Sequence, residues 1–279
     1  MKSLSLSILM VLAFALSSLQ AQINTPSPSP YSKIEQAVGL GTVTVEYYRP
    51  SMKGRDIFGG LVPFDKIWRT GANQGTQVTF SEDVTVAGKK VPAGTYTLYS
   101  KPGKSSWTVM IYKDTKLGGA VARYDEAQEL TRFMVEPVTM PFKVESMTIM
   151  FGDLTDASAN MSLIWDDQMI SMPIKTEVDS KVMANIDRVM AGPSGNDYYA
   201  AAVYYYNADK DMDKALTWIN KALEGGDRFW IVTWKARILG KMGKKEDAIA
   251  TSQKAMKLAE EAENSDYVKI NKDLIAGWQ

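Results

Sequence analysis

"DVTVAGKKVPAGTYTLYS", residues 83–100, decides how the first half of the chain folds. It reads as a strand, a tight turn at Gly88-Lys89, a second turn at Pro92-Ala93-Gly94, and another strand. Glycine and proline stand where chain reversal needs an unusual or a preset φ. The period of two continues on both sides. Upstream, "GTVTVEYY" puts Val43, Val45 and Tyr47 on one face and Thr42, Thr44 and Glu46 on the other, and "TQVTF" alternates Val78 and Phe80 against Gln77 and Thr79. These are half-buried strands. Downstream come the turn "KPGKSS", the strand "WTVMIY" and a less regular stretch. "RFMVEP", "FKVESMTIMFGDL", "ANMSLIWDD" and "QMISMPI" follow, with Asp166-Asp167 expected to be the hairpin loop joining the last two. Nine or ten short strands with frequent turns and no helical crossovers predict an antiparallel β-sandwich or barrel over residues 31–175.

From Glu177 onward the pattern changes to helical spacing, rich in Ala, Lys, Met and Glu. "DKALTWINKALEGG" aligns Ala215, Ile219 and Ala222 on one face, and Gly225-Gly226 is expected to end that helix. "EDAIATSQKAMKLAEEAE" repeats the design with Ala248, Ser252 and Ala255. Ala215 and Ala248 are 33 residues apart, as are Ala222 and Ala255. A helix-pair repeat of about 34 residues is the tetratricopeptide signature. Two degenerate units are predicted, 196–227 and 228–260, between a leading helix near 178–191 and a terminal helix near 265–278. A plain helical bundle is the other reading. The fold class is therefore an all-β domain followed by an all-α, tetratricopeptide-like domain covering 176–279.

The N-terminus, "MKSLSLSILMVLAFALSSLQAQ", has Lys2, an apolar run and a small-residue end near Ala21. That is the layout of a secretory signal peptide over 1–21, and the apolar run is shorter than the ~20 residues of a membrane span. "INTPSPSP" alternates Ser and Pro, so residues 22–30 are expected to be an extended linker. The expected mature protein is exported, periplasmic or extracellular, and spans no membrane.

Composition narrows the chemistry. The 279 residues include no Cys and no His, with 32 basic and 32 acidic side chains. Disulfides, thiol nucleophiles, Cys or His metal ligands and a Ser-His-Asp triad are excluded. The balanced charge gives no broad basic field for nucleic acid. No phosphate loop, dinucleotide glycine motif or serine elbow is present, and no cofactor or metal is expected. A carboxylate pair remains as a route to catalysis. The acidic pairs Glu82-Asp83, Asp125-Glu126 and Asp166-Asp167 read as solvated loop tips.

The stretch from Tyr47 to Asp114 carries a longer pattern. Its elements are Gly54-Arg55, Gly59 and Gly60, Leu61-Val62-Pro63, Trp68-Arg69-Thr70-Gly71-Ala72-Asn73, Thr76, Pro92 to Tyr96, Leu98, Trp107 and Val109. With them the chain resembles the bacterial domain-of-unknown-function family 2911 over about 31–174. The resemblance implies a secreted, Bacteroidetes-type protein with a helical tail. It carries no catalytic residue onto this sequence.

The candidate site is therefore read from its residues. Arg55 and Arg69 flank a loop, and Thr70, Asn73 and the backbone around Gly71 stand beside them. Two guanidiniums near unpaired N–H groups can hold a carboxylate or phosphate. The competing reading ties Arg69 to loop carbonyls, Asp56 or Asp65, and lets Asn73 close a turn. Trp68 either covers a flat ligand such as a sugar ring or plugs the two sheets, and Trp107 is structural. The function expected is a non-catalytic binding module of the cell envelope, with a small anionic or glycan ligand on the β domain and a protein partner on the helices. The alternative is a carboxylate-dependent hydrolase or lyase acting on an envelope polymer.

Overall fold

The computed structural model describes residues 25–279 except residue 191. The expected signal peptide and the first residues of the expected linker lie outside the described residues. The chain divides after Val178 into two compact units.

Among the described residues the first unit contains ten strands in two antiparallel sheets. The larger runs β1(Tyr31–Val38), β2(Gly41–Tyr48), β3(Thr76–Phe80), β6(Gly94–Lys101), β7(Trp107–Tyr112) and β8(Glu129–Val135), in that spatial order. The smaller is ordered β5(Lys89–Val91), β4(Val84–Val86), β10(Ser158–Thr176), β9(Val138–Gly152). The register places Val45 opposite Val78, Val78 opposite Tyr96, and Leu98 opposite Ile111. These side chains face Val86, Met147, Ile149, Leu163, Met172 and Ile174 of the second sheet in one core. The arrangement is a sandwich.

The sheets are tied by hydrogen bonds as well as by apolar contact. The Ile149 N–H donates to the Tyr47 hydroxyl at 2.9 Å. Arg49 donates through Nε to the Met147 carbonyl at 2.9 Å and through Nη2 to Thr148 Oγ1 at 2.7 Å. The chain leaving β2 then pairs Ser51 with Ser146. Buried polar atoms are thereby satisfied where the chain crosses between layers.

One expectation is corrected. Asp166-Asp167 is not a hairpin loop but lies inside β10, which continues to Thr176. The register against β9 shifts on either side of Asp166, whose φ is 56°. This is a bulge: an extra residue bends the strand while pairing continues. The reversal between β9 and β10 comes earlier, at 153–157.

The larger sheet is also covered on its outer face. Tyr99, Met110 and Tyr112 are buried beneath Leu117, Val121 and Tyr124 of the irregular stretch. That stretch contains two single 3₁₀ turns, Val121–Arg123 and Glu126–Gln128. The Tyr99 hydroxyl donates to the Gly118 carbonyl at 2.8 Å. Burial, with Tyr112 and Asp114 adding to it, pushes the Tyr99 phenol up to about 12, while Arg69 pulls the other way. Removing a phenolate from water without a cation against it favours the neutral form.

The second unit has six helices: α1(Asp179–Val189), α2(Gly195–Asn207), α3(Met212–Leu223), α4(Phe229–Lys241), α5(Lys245–Glu261) and α6(Ser265–Trp278). Their bounds follow the predicted helix pairs. Ser194 and Asp197 form a capping box at α2, and Asp211 and Asn264 cap α3 and α6. Such caps satisfy N–H groups that the first turn leaves open. Ala215, Ile219, Ala222, Ala248, Ser252 and Ala255 are buried, as their spacing predicts. Among the described residues no helix is long and apolar enough to cross a membrane.

Candidate functional site

The site lies where β3 gives up its place beside β6. Trp68 pairs with Ser100 instead, with the Trp68 N–H donating to the Ser100 carbonyl at 2.7 Å and the return bond at 2.9 Å. The chain then loops out over 69–75 before β3 begins. The Thr76 N–H donates to the Arg69 carbonyl at 3.2 Å, and the Thr76 hydroxyl donates to the Thr70 carbonyl. The neck of the loop is therefore pinched shut.

The loop holds an unusual backbone. Thr70, Gly71 and Asn73 have φ of 55°, 156° and 53°. Gly and Asn accept such angles readily, but a β-branched residue there is strained. Thr70 is 1% exposed and is fixed by its neighbours. Its hydroxyl sits 2.9 Å from Ser100 Oγ and 3.4 Å from the Trp68 carbonyl. Strain of this kind persists only where surrounding contacts over-determine it, and it collects at functional loops.

Beside the loop is a cavity of about 390 Å³. Arg55, Arg69 and Asn73 line it together with Gly71, Ala72 and Trp68. Thr70 does not line it, and its hydroxyl is engaged in the scaffold. Trp107, 1% exposed, belongs to the core and borders a separate cavity of about 270 Å³.

The three polar candidates differ. Arg55 braces its own loop, donating through Nε to the Met52 carbonyl at 2.8 Å and through Nη2 to the Ser51 carbonyl at 2.7 Å. Asn73 occupies the left-handed turn position and extends its amide to the Ser29 carbonyl at 3.4 Å. The Arg69 guanidinium, half-buried, has no hydrogen-bond or ion-pair partner among the described residues. Neither Asp56 nor Asp65 pairs with it. Trp68 donates its indole N–H to the Gly71 carbonyl at 3.1 Å and stacks on Trp165 with ring centres 6.0 Å apart. Phe58 and Trp107 meet it edge-on. Its ring is mostly spent on the aromatic cluster, although it lines the cavity.

Residues that sequence reasoning did not single out complete the walls. Trp165 comes from β10, Ser29 from the segment before β1, and Gly119 and Val121 from the irregular stretch. Gly119 matters most: a Cβ on it would overlap Arg69 Nη1. The Gly118-Gly119 pair was the one sign of this in the sequence. No Asp, Glu or Lys is among the lining residues, so the two guanidiniums make the cavity electropositive.

No curated protein and no solved structure matches the chain. The family described as protein of unknown function (DUF2911) matches residues 29–174, which include both sheets except the last two residues of β10, and every lining residue of the cavity. The chain belongs to the DUF2911 family.

Proposed function

We propose that this is an exported, non-catalytic binding protein of the cell envelope, whose β unit takes a small ligand in the cavity beside Arg69. The observation that carries the reading is Arg69 itself, a half-buried guanidinium facing a cavity without an acceptor. A guanidinium removed from water gains from a partner, and a structural arginine ordinarily finds one within the protein. The strained, pinched loop and Gly119 support the same reading, since both hold that group in place.

A hydrolase using two carboxylates would need them flanking the bound substrate at roughly 5–10 Å from each other. The lining of this cavity supplies no carboxylate. Asp166 and Asp167 border the separate cavity, where Lys143 pairs with Asp166 at 2.9 Å. The helical unit is proposed as a protein-docking surface. The run of consecutive helices from Asp179 to Trp278 supports this reading, since tetratricopeptide-like stacks work by offering such surfaces.

A melting screen of small molecules tests the binding role. Ligand-free Arg69→Ala and Asn73→Gly are expected to melt within about 2 °C of the parent, because neither side chain holds the core. Molecules that raise the parent's Tm are expected to lose that effect in Ala72→Trp, which fills the cavity. A drop of several degrees in both ligand-free variants would show that these residues brace the loop. The export reading rests on the N-terminal sequence pattern. The secreted protein is expected to begin at Gln22 on N-terminal sequencing, and an intact Met1 would refute cleavage.

A further inference from the structure

The geometry points to a ligand class for this cavity: a compact molecule bearing one oxyanion, either carboxylate or phosphate, and a small apolar part, with the acid group against Arg69 and the 71–73 loop. This rests on the binding role proposed above and deepens it.

Three observations converge on this cavity. First, Arg69 presents a guanidinium without an acceptor among the described residues. Arginine's planar fork suits a carboxylate or phosphate through two parallel bonds. Second, the backbone N–H groups of Gly71, Ala72 and Asn73 donate to nothing in the chain among the described residues. All three residues line the cavity, and the loop's positive φ angles are of the kind that turn successive N–H groups into an anion-binding concavity. Third, no lining residue is acidic, and Arg55 adds a second positive charge whose orientation is fixed by two carbonyls. An anion there meets complementary charge in a partly water-excluded place, where the attraction exceeds its value in bulk water.

The other lining residues have different chemistry. Leu61, Val62, Ile67 and Val121 line it, with Trp68 and Trp165. About 390 Å³ is near the lower bound of ligand pockets, which run from about 300 to 1,000 Å³. The body attached to the acid group is therefore small, with an apolar part to meet these side chains. Trp68 offers no clear stacking platform, since Trp165 covers one face of it.

Calorimetry with four probes tests this: benzoate, its neutral counterpart benzamide, phenyl phosphate and acetate, at low salt. The proteins are the parent, Arg69→Gln, Gly119→Ala and the charge control Lys143→Gln, which changes an exposed lysine outside the cavity. Gly119→Ala keeps every charge but pushes the Arg69 guanidinium aside, and the end of a flexible side chain yields at small cost. Benzoate or phenyl phosphate is expected to bind the parent about tenfold or more tightly than benzamide or acetate, as loss of a charged hydrogen bond or of the apolar body dictates. Arg69→Gln and Gly119→Ala are each expected to weaken that binding about tenfold, with Lys143→Gln unchanged. The tighter of the two acids identifies the oxyanion. Benzamide equal to benzoate, Arg69→Gln equal to the parent, or no binding of either acid at about 10 mM overturns the inference. If neutral molecules then raise the parent's Tm and Ala72→Trp abolishes the effect, the cavity remains a binding site for another class. If Ala72→Trp alters no ligand's effect, both readings fall.

Discussion

Trp107→Ala is expected to cost the β unit about 3–5 kcal/mol, the range for deleting a buried large aromatic. Trp107 is 1% exposed and stands on β7 facing the core. Its ring lies edge-on to Phe58 at 4.7 Å and to Trp68 at 6.3 Å. Phe58 in turn meets Trp165 at 6.2 Å, so the four rings form one body. That body stands between the 390 Å³ and 270 Å³ cavities, one lined by Trp68 and Trp165 and the other by Phe58 and Trp107. Rigid sandwich walls collapse poorly onto a missing indole, which puts the cost at the upper part of the range. The midpoint of the β unit is expected to fall by on the order of 10 °C, with loss of near-ultraviolet circular dichroism. Met134→Ala serves as the control: that side chain is 70% exposed, and its removal is expected to change stability by less than about 0.5 kcal/mol. A Trp107→Ala protein that melts with the Met134→Ala protein would show that the aromatic body contributes little.

Asn271→Leu is expected to destabilise the helical unit by about 2–3 kcal/mol, although leucine is the more apolar residue. Asn271 is 0% exposed and joins three helices. Its Nδ2 donates to Thr233 Oγ1 of α4 at 2.9 Å and to the Tyr267 carbonyl of its own helix at 2.7 Å. Its Oδ1 accepts from Ser252 Oγ of α5 at 2.7 Å. Leucine supplies no donor or acceptor, so the Ser252 hydroxyl loses its short bond and is left with the weak one to the Asn271 carbonyl at 3.4 Å. Thr233 keeps its own bond to the Phe229 carbonyl at 2.8 Å, which limits the loss. Chemical denaturation followed by helical ellipticity measures the effect. If Asn271→Leu is as stable as the parent, apolar packing outweighs the network. Ser252→Ala combined with Thr233→Val and Asn271→Leu is expected to recover part of the loss, because replacing every partner removes the unmet groups.

The period-two alternation, the glycine and proline turns, and the later helical spacing were enough to determine an all-β unit followed by an all-α one. Those signals are local, and each reports which face of an element meets the core. The end of α3 was equally legible, because Gly225-Gly226 follows Leu223 within two residues. The missing Cys and His fixed what chemistry the chain lacks without any structure. Asp166 was misread because two adjacent aspartates carry the same turn signal in a bulge as in a hairpin. Only pairing with β9 on both sides of Asp166 separates the two.

The site was visible in part. "WRTGAN" announced Arg69 and Asn73, but three neighbouring polar residues have no fixed roles until the chain closes around them. Tertiary structure sent Thr70 into the scaffold toward Ser100, 30 residues away, gave Arg55 to its own loop carbonyls, and left Arg69 alone at the cavity. It also brought Gly119 against Arg69 across 50 positions of sequence, where the lack of a side chain makes the room. Sequence set the donor groups of this protein. Whether a donor is satisfied depends on which distant carbonyls and side chains the fold carries to it, and that is a property of the folded chain alone.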